Sequence, residues 1–183
     1  MGQYHKPFNL DKKQKLHPHK FGCGLKLAEQ MGGGVTDALL ILLAASNGRG
    51  GGDFQDESPL IGSWAGDRIA WIGDYAEADD IPGCDAEAIY QDETYEDISD
   101  QVIPILEREN EAVYVGDGWR TCVFFSHIEG YGGSHGRGDR HIIIGGQEYS
   151  SQLLRARLKE KIKGHPPEKI TADFLGLEDL PMK

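Results

Sequence analysis

Apolar residues in this chain come in short runs of changing period, cut apart by glycine. Gln3 to Leu10 predicts a first strand, closed by a polar turn through Asp11 to Lys15. Pro18 restricts His17 to extended backbone, so His17 and His19 enter from a turn. Leu25 to Gln30 can begin a short helix or a strand, and the helix is favoured. The unbroken apolar run from Asp37 to Ser46 predicts a buried helix with Thr36 as N-cap and an end near Asn47 and Gly48. Arg68 to Ile72 predicts a strand covered on both faces. A helix is expected from about Thr94, interrupted or bent near Pro104. Strands are expected at Ala112 to Val115, Thr121 to Ile128 and His141 to Ile144, with Gly116 to Trp119 turning a hairpin between the first two. The last helix spans Ser150 to Lys163, with Leu154, Leu158 and Ile162 as its apolar stripe and Arg155, Lys159, Lys161 and Lys163 over the remaining surface. This pattern predicts one α+β domain over residues 1–183, built on a mainly antiparallel central sheet with two or three longer helices and Gly-rich loops.

Composition adds constraints. With 39% hydrophobic residues in 183, an ordinary core forms without metal or disulfides. Cys23, Cys84 and Cys122 cannot all pair within the chain and make no CxxC spacing, so free thiols in a reducing, cytoplasmic setting are expected. No apolar run follows the N-terminal charges, and Ala38 to Ala45 is far too short to span a bilayer, so no membrane partner is expected. The formal charge of −11 is concentrated: 12 of the 30 acidic residues lie between Ile69 and Glu107, which holds no lysine or arginine. The other 18 acidic residues face 19 basic ones. Such a run reads as a solvated face, and alternatively as a docking surface for a basic protein partner over residues 69–107. The acidic balance argues against general nucleic-acid binding.

The candidate chemistry lies in two glycine loops. SHGRGDRH, Ser134 to His141, combines backbone freed by glycine with His135, Arg137, Asp139, Arg140 and His141, which suits a phosphate or carboxylate held by N–H groups and guanidinium forks. SNGRG, Ser46 to Gly50, repeats the order and adds Arg49, so the two loops are expected to line one pocket. Neither contains the Walker pattern GxxxxGK[ST]. His17, His19, His127, His135 and His141, with Asp67 or Asp139, form no known metal-ligand spacing, and His135 and His141 stand at opposite ends of a loop, so no metal ligands are assigned. Gly62 to Gly66 does not match a nucleophile elbow, and Cys122 reads as an inert strand residue.

The segments NLDKKQKLHPHKFGCGLKLAEQ and GSWAGDRIAWIGDY resemble an uncharacterised family of bacterial and phage-associated proteins, over mainly the first 75 residues. The matching polar positions are Asp11, Lys12, His19, Lys20, Gly66, Asp67 and Arg68, while Cys23 replaces a more polar residue. The resemblance implies a bacterial or phage source and no particular chemistry. Three function classes follow. The leading one is a small-molecule binding protein for a phosphorylated or nucleotide-like anion, held by His19, Lys20, Arg49, Asp67, Arg68, His135, Arg137, Asp139, Arg140 and His141. The second is a small hydrolase or transferase using the same site, and the third an acidic interaction or inhibitor protein. No cofactor is assigned.

Overall fold

β1 (His5–Asn9) is the first strand the pattern predicts. The chain turns back after it because buried Asn9 accepts the N–H groups of Asp11 at 3.1 Å and Lys12 at 3.0 Å on its Oδ1. β2 (Gln14–Lys15) then pairs with β1. A computed structural model describes residues 2–51, 53–115, 121–135, 140–163 and 167–180. Beyond a 3-10 turn at Pro18–Phe21 come α1 (Leu27–Gln30), α2 (Gly34–Leu43), a glycine-rich loop, β3 (Ile69–Gly73), α3 (Ala86–Gln91), β4 (Glu96–Asp97) and α4 (Ser99–Glu109). The second half holds β5 (Ala112–Val115), β6 (Thr121–Phe124), β7 (Tyr131–His135), β8 (His141–Ile144), β9 (Gln147–Ser150), α5 (Ser151–Lys161) and α6 (Ala172–Leu175).

The fold class is α+β, with 34% helix and 23% strand. The sheet, however, is divided. One sheet runs β3-β1-β2-β4, with β2 and β4 parallel; the others are the antiparallel pair β5-β6 and the antiparallel meander β7-β8-β9. Strands of two to five residues joined by local turns bury little each, so every sheet needs its own apolar cover. α2 and α4 build one core around Trp64, Ile41, Leu42, Ile105 and Leu106. α5 and α6 cover the meander, burying Leu154, Leu158 and Ile162 as the helical stripe predicts. β5 is the shared wall: its period-2 alternation sends Tyr114 into the first core and Val113 and Val115 into the second.

Several elements depart from the sequence expectation for visible reasons. α2 begins at Gly34 with Gly33 as N-cap, and Thr36 lies inside its first turn, bonding the Gly33 carbonyl at 2.6 Å. It ends at Leu43, before Asn47, because the Gly62 and Trp64 N–H groups take the Ile41 and Leu42 carbonyls at 2.9 and 2.8 Å. Gly62 has φ +73°, and a Cβ there would sit 2.7 Å from the Ala44 carbonyl, so only glycine allows this approach. The first SxGRG stretch therefore lies beyond the helix end, and Arg49 does not cap it. Residues expected to open a helix at Thr94 form β4, with α4 starting at Ser99 and running through Pro104. β3 is covered unevenly: Trp71 is exposed at its edge and donates its indole N–H to Gln30 at 2.8 Å. Arg155, expected at the surface, is buried against the Phe125 ring at 5.1 Å and donates to the Glu107 carbonyl. The expected turn at Gly116–Trp119 lies outside the described residues.

The acidic segment is solvated, as its composition predicts. Eight of its twelve carboxylates are exposed, and Glu107 alone is buried. We expect replacement of Asp79, Asp80, Glu93 and Glu96 by asparagine or glutamine to shift the melting temperature by less than about 2 °C, or to raise it, since exposed charges contribute little and repel one another. A large fall in thermal melting would show that these side chains hold bound cations or buried pairs.

Candidate metal centre

The β7-β8-β9 meander brings three potential metal ligands together through register alone. His135 is the direct partner of His141 across β7 and β8, and Ile143 faces Glu148 across β8 and β9. Ile144 pairs with Gln147 around Gly145 and Gly146, whose φ values of +59° and +82° give the two-residue turn that sets this register. Because strand side chains alternate, Ile142, Ile144 and Tyr149 point into the core. His135, His141 and Glu148 project from the other face.

Their donor atoms all lie within 4.8 Å of one another. His141 Nδ1 is 3.2 Å from Glu148 Oε2, His135 Nε2 is 3.6 Å from Glu148 Oε1, and the imidazole rings meet edge to face at 5.3 Å between centroids. Donors bound to a tetrahedral zinc at the usual bond lengths are separated by about 3.4 Å. The two histidine–carboxylate distances lie on either side of that value, each to a different oxygen of Glu148. Two imidazoles and one carboxylate are a borderline-soft N/O donor set that suits zinc and its first-row neighbours, and half-exposure leaves coordination positions open to solvent or substrate.

The opposite side of the same hairpin is anchored. Ser134 Oγ and Tyr131 Oη donate to Glu111, and Arg140 reaches Glu111 at 3.1 Å and Glu109 at 3.7 Å. Glu109 Oε1 also accepts the N–H groups of Gln55 at 2.9 Å and Asp56 at 2.7 Å, tying the hairpin to the loop after α2. Burial pushes the Glu111 carboxyl up, but Ser134, Tyr131 and Arg140 outweigh it and hold it below the usual glutamate range. Ser134 and Arg140, the residues that precede the two histidines, are thus held by one half-buried acceptor.

The remaining predicted site residues lie elsewhere. Arg49 borders an open polar cavity of about 590 Å³ formed by residues between Ala44 and Gly62, and no described residue of the second loop lines it. The backbone N–H groups of Arg49 and Gly50, the donors that an anion nest would offer, are taken by Asp53 Oδ2 at 2.8 and 2.9 Å. Arg137 and Asp139 fall outside the described residues, so the expectation of one pocket shared by Arg49 and Arg137 does too. Asp67 pairs with Lys12 at 2.8 Å, and Arg68 pairs with Asp11 at 2.7 Å. These two ion pairs fasten the first turn to the start of β3. Lys20 lies between Asp97 at 2.9 Å and Asp100 at 2.7 Å; burial would lower its ammonium pKa, and the two carboxylates raise it instead. His19 packs against His17 with ring centroids 5.3 Å apart, and burial lowers its pKa. Three of the cations expected to receive an anion, Lys20, Arg68 and Arg140, thus already hold carboxylates of the chain.

Cys23 and Cys122 offer no alternative centre. Cys122 has its pKa pushed up to about 12 by burial, and Cys23 is raised for the same reason. Among the described residues no helix is long and apolar enough to cross a membrane. Comparisons with protein-family models, curated proteins and solved structures return no match.

Proposed function

We propose that the protein binds one divalent transition metal, zinc by donor set, through His135, His141 and Glu148, and uses the open coordination positions to hold a phosphorylated or nucleotide-like small molecule. The observation that carries this reading is the convergence of three ligand atoms within 4.8 Å on the exposed face of a register-fixed meander. Three protein ligands with open positions are the arrangement of catalytic rather than structural zinc. A metal there attracts an anion without needing Arg140, which is already paired. It also lowers the pKa of a bound water, so hydrolysis of a phosphate ester is the reaction this centre suits.

Chelated protein titrated with zinc in a calorimeter should take up one ion per chain. His141→Ala and Glu148→Ala should each weaken the uptake by more than about 100-fold, beyond the range seen when only a supporting residue is lost. Affinity should fall on acidification, because protons compete with the metal for imidazole nitrogen. No saturable uptake, or equal uptake by all three proteins, removes the reading. Turnover of a phosphomonoester by the loaded protein separates a hydrolase from a binding protein.

A further inference from the structure

A second polar group assembles on the first sheet, independently of the metal centre. β1 and β2 pair Phe8 with Lys15, and the Leu16 N–H bonds the Pro7 carbonyl at 3.0 Å, which carries the same register one step further. His17 is still extended, so the next step sets it opposite Lys6. By alternation Lys6, Lys15 and His17 share the face of Phe8, with Lys6 and Lys15 as diagonal neighbours. All three side chains are half-buried.

These groups lack partners in a way their neighbours do not. Among the described residues neither lysine has a carboxylate or a side-chain hydrogen bond; the Lys6 ammonium meets only the Tyr90 ring, 4.9 Å from its centroid. His17 Nδ1 is buried with no hydrogen-bond partner. Beside them Asp97, the strand partner of Lys15, is taken by Lys20 at 2.9 Å and by the Ser99 N–H at 3.0 Å. Asp74, further along the sheet, accepts the Tyr4 N–H at 2.8 Å. Burial lowers the Lys6 ammonium pKa and Lys15 lowers it further; burial lowers His17, and Lys6 acts next. Asp97 and Asp74 favour the Lys6 ammonium only from beyond contact, and two half-buried lysines with no paired carboxylate beside an unpartnered imidazole nitrogen are costly. A dianion would relieve all three.

We propose that Lys6, Lys15 and His17 form a binding site for a phosphate dianion. Two ammonium groups match its charge near neutral pH, and the imidazole supplies a third contact around a tetrahedral group that a flat carboxylate would not fill. Lysine suits this task as a mobile point charge.

The test is calorimetric titration of the whole chain, in EDTA so that the metal centre plays no part, with inorganic phosphate, phenyl phosphate and acetate. Phosphate should bind saturably with Kd of about 1 mM or tighter, and acetate at least about tenfold more weakly. Comparable or tighter binding of phenyl phosphate would identify a monoester as the source of the group, whereas exclusion of it would identify free phosphate. Lys6→Met and Lys15→Gln should each weaken phosphate about tenfold or more. Lys13→Ala, which alters an exposed lysine of the adjoining turn, should leave it unchanged. Melting without phosphate should be no lower in Lys6→Met than in the native chain, which separates lost binding from lost folding. Absence of saturable phosphate binding, native phosphate affinity retained in both lysine variants, or equal binding of acetate overturns the proposal.

Discussion

Glu107→Ala should destabilise the protein by about 3–4 kcal/mol, because it leaves a buried donor and a cation without their acceptor. Glu107 belongs to the acidic segment by sequence and to the core by position, at 6% exposure. Among the described residues β5 pairs with β6 along one edge, and Glu107 Oε1 accepts the Tyr114 N–H of β5 at 3.0 Å. The same carboxylate pairs with Lys159 at 2.9 Å, while its main-chain carbonyl accepts from Arg155, so α4, β5 and α5 meet at one residue. At about 2–4 °C per kcal/mol for a chain of this size, the melting temperature should fall by roughly 10 °C. Glu107→Gln keeps one acceptor for Tyr114 and should lose about half as much. Lys159→Ala should cost less still, since that side chain is 46% exposed and its loss leaves Glu107 its backbone partner. Equal, small losses in all three variants would remove Glu107 from this role. The contrast with the four exposed carboxylates is direct: the same kind of charge removal should be nearly silent there.

Elements with one dominant period were legible in the sequence. The stripe Leu154, Leu158, Ile162 predicts α5 to within a residue at its start, and the alternation in β1 and the apolar run in β8 place those strands. β7 and β9 were missed because YGGSH and QEYS carry little apolar signal, and their pairing comes from the strand between them. α3 escaped because its helix is capped by Asp85 inside a run where acidity hid the cap. α2 was placed too late at both ends because its closing bonds come from Gly62 and Trp64, about twenty residues downstream.

The site was legible in part. His135 and His141 were singled out as residues but set apart as the two ends of a loop; in a hairpin the two ends are the paired positions. Glu148 was not singled out at all. The signal for it was present in IIIGGQEYS, because a two-residue glycine turn fixes Ile143 opposite Glu148 and so assigns Glu148 to the face of His141. The arginines misled for a different reason. An arginine in a glycine-rich loop carries no mark in sequence of the carboxylate that will claim it, and the partners of Arg140 arrive from the end of α4, about thirty residues away.

Glu111→Gln should uncouple the hairpin from that anchor and change how stability depends on pH. Glu111 sits just past α4 at φ +51°, an uncommon conformation for a non-glycine residue, and its carboxylate receives Tyr131, Ser134 and Arg140 at once. Its pKa is held below the usual glutamate value, so the folded state favours the charged form more than the unfolded chain does. The stabilisation is therefore fully present above the ordinary glutamate range near 4.3 and is lost as pH falls through the depressed folded value. Glutamine keeps an acceptor for Arg140 but removes the charge and turns an amide toward Tyr131. Stability at pH 7 should drop by about 2 kcal/mol, and the acid limb of the stability curve should flatten below about pH 4.3. Zinc affinity should also fall about tenfold, since Ser134 and Arg140, the neighbours of the two histidines, lose their common hold. Denaturant unfolding from pH 3 to pH 7, with zinc titration of the same two proteins, measures all three effects. An unchanged acid limb would mean that the Glu111 cluster is solvated in solution, and unchanged zinc affinity would mean that the meander holds its ligands in place without it.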